Sequence, residues 1–238
     1  MKIRCVWEHH GQDSLLYSEN YAGAFTRGKS RAEALDKMAG EIASYLEWKG
    51  YPGEKEMEAE IVQEKDSDLN IGDADSDVLF DSEKGVCSRE EYEALKALAL
   101  KSAGDFLALY TAVPDKGKSV LRPRQTFYGR IPRTALEMYE HTKNVNEYYF
   151  SEIGVAADNE GTILECRERG FALLEQQPDF LENKVFQGSY GEEWSLKKLL
   201  RRFIWHDRIH ARAMYRMAVK TFGPDAVPDI FRFCTAGK

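Results

Sequence analysis

Over residues 1–64 the hydrophobic positions of this chain recur mostly every second residue, and from Ser88 onward they recur every third or fourth. "MKIRCVWEH" sets Ile3, Cys5 and Trp7 two apart, the spacing of a strand, and the turn "HHGQDS" separates it from extended stretches at "LLYSEN" and around "AGAFTRG". "SRAEALDKMAGEIASYLEWKG" reads as a helix, with Ser30 as N-cap, Glu33 completing a capping box and Gly50 ending it. "EMEAEIVQE" alternates again. The predicted order is β-β-β-α-β, an α+β unit of one helix on a small antiparallel sheet.

Helical signals organise the rest. Ser88 and Glu91 form a capping box for a helix that Pro114 stops, and a second helix starts near Pro132 and ends about Gly154. A third covers roughly 159–177 before Pro178, and a fourth runs from an N-cap at Ser195 to Gly223 and Pro224. Four such helices predict an all-α four-helix bundle over 88–238. Residues 65–87, within "EKDSDLNIGDADSDVLFDSEKG", are rich in Asp, Ser and Gly and read as a solvated acidic linker. Asp66, Asp68 and Asn70 resemble the start of a calcium loop, but Gly72 falls one place late and no Glu closes the loop.

The last helix breaks its own pattern. Leu196, Leu199, Phe203, His206, His210, Ala213 and Met217 follow one apolar seam, so "FIWHDRIHARAMYR" sets two imidazoles among core positions. Such a pair is either hydrogen-bonded within a core or shared by a metal ion, and spacing i, i+4 favours the metal. The chain has five histidines, and His141 is the candidate third ligand, because Met138, His141, Val145 and Tyr148 mark one face of the second helix. Three neutral imidazoles with a fourth position open suit a catalytic rather than a structural centre. A zincin would need Glu where Asp207 stands, and paired Glu-x-x-His motifs are absent because Met138 and Phe203 occupy those places.

Charge sharpens the division of the chain. The formal net charge is -7, yet Glu54–Lys84 holds twelve acidic residues against three lysines, leaving the remainder slightly basic. No apolar run has the length of a membrane span, "MKIRCVWEHH" lacks a signal-peptide core, and Cys5, Cys87, Cys166 and Cys234 form no CxxC. The expectation is a cytoplasmic chain with reduced thiols.

Two resemblances follow from quoted residues. "AGAFTRGKSRAEALDKMAGEIASYLE" resembles the HicB-like antitoxin domain, which implies the fold of residues 1–64 and a protein partner; no DNA-binding module follows it, and the acidic segment opposes phosphate binding. "GSYGEEWSLKKLLRRFIWHDRIHARAMYRMA", with "TALEMYEHTKNVNEYYF", resembles the last and second helices of the DinB/YfiT-like superfamily. That resemblance implies an up-down-down-up bundle with a three-histidine divalent metal site, here His141, His206 and His210. It also implies metal-dependent hydrolysis or thiol-dependent transfer, with zinc, nickel or iron and a low-molecular-weight thiol as cofactors.

Around the metal, Glu137 and Asn144 lie about one turn from His141 and can orient its ring, while Tyr148 or Tyr149 can present a hydroxyl. Cys166 reads as a small core residue, Asp207 as surface charge, and Arg201, Arg202, Arg208, Arg212 and Arg216 as a solvated basic stripe. The expected function is a metal-dependent enzyme acting on a small molecule, alone or as a homodimer. The competing expectation is a non-catalytic interaction protein that docks a partner on an exposed apolar face of the HicB-like helix.

Overall fold

The strands form where the alternation places them, but the sheet is mixed. In the computed structural model, which describes residues 2–52, 57–126 and 129–233, β1 (Lys2–His10), β2 (Asp13–Ser18) and β3 (Phe25–Gly28) pair antiparallel in turn. β4 (Glu58–Asp66) adds to the far edge of β1 and runs parallel to it, giving the order β3-β2-β1-β4 and correcting the expected antiparallel sheet. The reason is the connection: α1 (Arg31–Trp48) carries the chain back across the sheet, so β4 leaves in the same direction as β3 and β1.

Both faces of this sheet are covered. Ile3, Cys5 and Leu16 pack under Ala34, Met38 and Ile42 of α1, whereas Val6, Leu15, Tyr17 and Phe25 point the other way, onto Ile71, Val78, Phe80 and Trp205. β2 consequently shows no alternation, since every residue from Ser14 to Ser18 is buried. The second cover comes from the segment expected to be a solvated linker. Its acidic residues are largely exposed, but Ile71, Val78, Leu79 and Phe80 are buried, so the segment is a packed layer and the solvated reading is corrected. Ile71 stands alone between Asn70 and Gly72, and the short run Val78-Leu79-Phe80 is flanked by Asp77 and Asp81, which conceals both from a composition count.

The second half contains α2 (Arg89–Ala112), α3 (Ala135–Ser151), α4 (Ile163–Leu174) and α5 (Leu196–Phe222). Ser88, Thr134, Thr162 and Ser195 cap their N-termini through side-chain oxygens that accept backbone N–H bonds. α3 therefore begins after Thr134 rather than at Pro132. α5 contacts α2 and α3, and α4 contacts the same two helices. Among the described residues no helix is long and apolar enough to cross a membrane.

α5 also reaches back to the sheet and its cover. Arg201, Arg202 and Arg208 are buried, against the expectation of a solvated stripe, while Arg216 is exposed as expected. Arg201 donates to Val78 O at 2.9 Å and to both carboxylate oxygens of Glu83; Arg202 donates to Ser76 O at 2.7 Å; Lys198 donates to Asp77 O at 2.7 Å. Arg208 donates to Glu41 of α1 at 2.8 Å, and Arg212 pairs with the same carboxylate. Gly23, at φ +85, sits so close to α5 that a Cβ there would come within 2.5 Å of Ile204, which fixes how near the β2–β3 turn approaches the helix.

One buried acid faces the covering layer. Glu8 of β1 is fully buried and accepts from Ser76 Oγ at 2.5 Å and from the Asp77 N–H at 3.1 Å. Burial pushes its carboxyl up to about 7. Its stabilising contribution is thus full below the unfolded value near 4.5 and is lost as pH rises through about 7. Glu8→Gln, a neutral isostere, is expected to raise thermal stability at pH 8 by roughly 1–3 kcal/mol, with the gain shrinking toward pH 5. Equal gains at both pH values in thermal denaturation would show that Glu8 ionises freely.

Candidate metal centre

α3 supplies His141, and α5 supplies His206 and His210 one turn apart. One ligand atom from each imidazole lies within 4.8 Å of the others. Ring centroids are separated by 5.2 Å for His141 and His206, 4.6 Å for His141 and His210, and 4.4 Å for His206 and His210. The three residues expected to converge are therefore brought together. His206 is buried, His210 half-buried and His141 exposed, so the cluster is anchored in the core and opens outward on the α3 side. Buried Nδ1 of His206 has no hydrogen-bond partner among the described residues, which leaves a lone pair or N–H unsatisfied.

Desolvation lowers the pKa of all three rings, including that of His141, whose ring is packed against the other two although the residue is exposed. Desolvation takes His210 down to about 3, and His206 is lowered further by the neighbouring His210 and His141. All three are neutral near pH 7, the state that offers a nitrogen lone pair to a cation. The cluster lines a cleft of about 360 Å³ whose other walls include Asp75, Ser76, Ile131, Tyr149, Arg202 and Trp205.

The flanking candidates are sorted differently from the sequence expectation. Glu137 completes the α3 capping box, accepting from the Arg133 N–H at 2.8 Å and the Thr134 N–H at 3.0 Å, and these bonds hold its carboxyl below the usual range. It orients the helix terminus, not the His141 ring. Asn144 lies exposed on α3. Tyr148 packs on Trp194 with ring centroids 6.1 Å apart, while buried Tyr149 faces the cleft, its ring 5.9 Å from that of His206. The inward stripe of α3 runs through Met138, Thr142, Asn146 and Tyr149, which leaves His141 at its edge. Ala213, expected on the α5 seam, is exposed.

Arg202 is the residue that sequence reasoning misplaced most. It stands four residues before His206, so the line Arg202, His206, His210 was visible as one face of α5. Its guanidinium lies 4.8 Å from the Trp205 ring centroid and 5.5 Å from that of Tyr149, a fixed cation on the cleft wall. Ser76 and Asp75 come from the acidic segment and gave no sequence signal for this place.

Asp207, expected at the surface, is fully buried and holds Arg167 of α4 through two bonds at 2.6 and 3.2 Å. Arg167 in turn lies 4.0 Å from the Phe203 ring centroid. Burial raises the Asp207 carboxyl and Arg167 opposes that shift. Cys166 is buried with its Sγ 3.4 Å from Ile163 O, in keeping with the core reading. Arg167→Met strands a buried carboxylate and is expected to cost about 3–5 kcal/mol in chemical denaturation, whereas adding Asp207→Leu should recover most of the loss. Equal instability of the single and double variants would show that packing, not the uncompensated charge, sets the cost. Compared with known proteins, the chain matches no family model, no curated protein and no solved structure, so the site stands on its own geometry.

Proposed function

We propose that this chain is a divalent-metal-dependent enzyme acting on a small molecule, with His141, His206 and His210 as the protein ligands and a DinB/YfiT-like bundle joined to a HicB-like unit as its scaffold. The observation that carries this reading is the convergence of three neutral imidazoles within 4.8 Å, with a buried nitrogen of His206 left unpartnered. Three histidines from two helices suit zinc, nickel or iron(II) and leave a coordination position for a substrate. A cation held there would act as a Lewis acid toward water or a thiol, for hydrolysis or thiol-dependent transfer.

The chain's own groups define what surrounds the reacting atoms. Burial pushes the Tyr149 phenol up, so it remains protonated and can donate a hydrogen bond into the cleft. Arg202, pinned through Ser76 O, offers a positive charge that does not move. Ile131, Trp205 and Ile209 supply apolar wall and exclude water from one side. Among the described residues the cysteines are buried, with burial pushing Cys5 up to about 12 and Cys87 to about 11. If the reaction uses a thiol, a small molecule rather than Cys5, Cys87 or Cys166 brings it.

Docking through α1 is disfavoured. Met38 and Ile42 are spent on the sheet, Glu41 is taken by Arg208 and Arg212, Ser44 donates to Arg232 O at 2.8 Å, and Trp48 donates to Asp105 of α2 at 2.6 Å.

Elemental mass spectrometry on untagged protein is expected to find close to one divalent ion per chain in the parent and none in a His206→Ala/His210→Ala variant. Zinc should raise the melting temperature of the parent only, because a ligand that binds the folded state stabilises it. A parent that stays metal-free after incubation with zinc, nickel and iron would overturn the proposal.

A further inference from the structure

The histidine cleft continues into a second arm of about 360 Å³ that shares His210, Asp73, Ile131 and Ile209 with it. That volume is in the range of small-molecule sites. Its apolar surface comes from Leu121, Ile131, Met138, Ile209 and Met217. Its charged lining among the described residues is Arg27, Arg124, Arg133, Arg216 and Lys220 with one acid, Asp73. Five cations against one carboxylate on a chain of net charge -7 is a local inversion of sign.

Two of those cations are already engaged. Arg124 pairs with Asp73, and Arg27 donates to Gly72 O. Arg133, Arg216 and Lys220 have no ion-pair partner among the described residues, and Arg133 Nε is buried without a hydrogen bond. Buried guanidinium nitrogens without an acceptor occur also at Arg167, Arg201, Arg202 and Arg208, so what sets this arm apart is three cations without an ion-pair partner around one apolar cavity, where a ligand oxygen would supply a bond. Arg216 and Lys220 lie four residues apart on α5, and His210 of the metal centre lies earlier on the same helix. The arm thus joins an apolar floor, free cations at its rim and the histidine cluster at its inner end.

From this arrangement we infer that the arm binds a small organic anion with an apolar body, its carboxylate or phosphate head held by Arg133, Arg216 and Lys220 and its other end directed toward His210. That this anion is the substrate rests on the enzyme reading above; that it binds does not. The forked donors of arginine match either head group, and both are absent from a neutral analogue.

The test uses the full chain, metal-free and zinc-treated, with octanoate, 4-phenylbutyrate and phenyl phosphate, each beside a neutral counterpart (octanamide, 4-phenylbutanamide and phenol). Affinities are read by ligand-observed NMR, and the place of binding by the His210 ring signals. At least one anion should bind about tenfold more tightly than its neutral partner, shift the His210 signals, and lose that preference in Arg133→Gln and in Arg216→Gln/Lys220→Gln. The second variant alters exposed side chains, so it reports on charge even if Arg133→Gln folds poorly. Whichever head group ranks higher identifies the chemical source of the anion. Equal affinity for every anion and its neutral partner, or a preference unchanged by the α5 substitutions, would overturn the inference. Anion preference in a protein that takes up no metal would leave this inference standing and sink the enzyme reading; metal uptake without anion preference would do the reverse.

Discussion

A guanidinium removed from water must find acceptors for five N–H donors, and α5 removes three of them, Arg201, Arg202 and Arg208. Acceptors come from two separate stretches of chain, the Ser76 and Val78 carbonyls with the Glu83 carboxylate in the covering layer and Glu41 on α1, while Arg201 Nη1, Arg202 Nε and Arg208 Nε and Nη1 have no hydrogen-bond partner among the described residues. Aromatic faces take part of the remaining charge, with Arg201 3.8 Å from the Phe80 ring centroid and Arg208 4.9 Å from that of Trp48. Removing α5 would leave the covering layer and α1 with unpaired acids. Removing those partners would leave α5 with stranded cations.

This constraint reaches the histidines directly. His206 lies four residues after Arg202 and His210 two after Arg208, so both rings sit on a helix held on several sides by ion pairs and carbonyls. Asp207, between them in sequence, ties the same turn to α4 through Arg167. A site whose imidazoles must stay within a few ångströms of a common point needs such restraint, since an ångström of slack is enough to lose a ligand geometry. Only His141 depends on a different helix, and α3 is registered by its capping box at Thr134 and Glu137.

The uneven charge of the chain also finds its explanation here. The acidic segment, so polar by composition, presents exposed Asp side chains outward while Val78, Phe80 and Ile71 close the second sheet face, and its carbonyls receive the α5 cations. Asp73 of that segment lines the arm beside His210 but pairs with Arg124, and Arg133, Arg216 and Lys220 have no ion-pair partner among the described residues.

Local physical chemistry was enough to locate most elements. Strand alternation, N-caps at Ser30, Ser88 and Ser195 and stops at Pro114 and Gly223 act over a few residues, so a single sequence reveals them; the expected capping boxes are N-caps only among the described residues, with Glu33 accepting from the Lys29 N–H. The same holds for the pairing of His206 with His210, because i, i+4 geometry is a property of a single helix. Other features depended on which surfaces meet. The direction of β4 followed from the α1 crossover. Which of Tyr148 and Tyr149 faced His206 depended on the rotation of α3 against α5, since Trp194 touches both rings and both are about two turns from His141. Arg202 and Asp207 read as surface charges until the Ser76 carbonyl and Arg167, from distant stretches, supplied their partners. A charged side chain carries no local mark of burial: the sequence shows the charge, and only the tertiary structure supplies what compensates it.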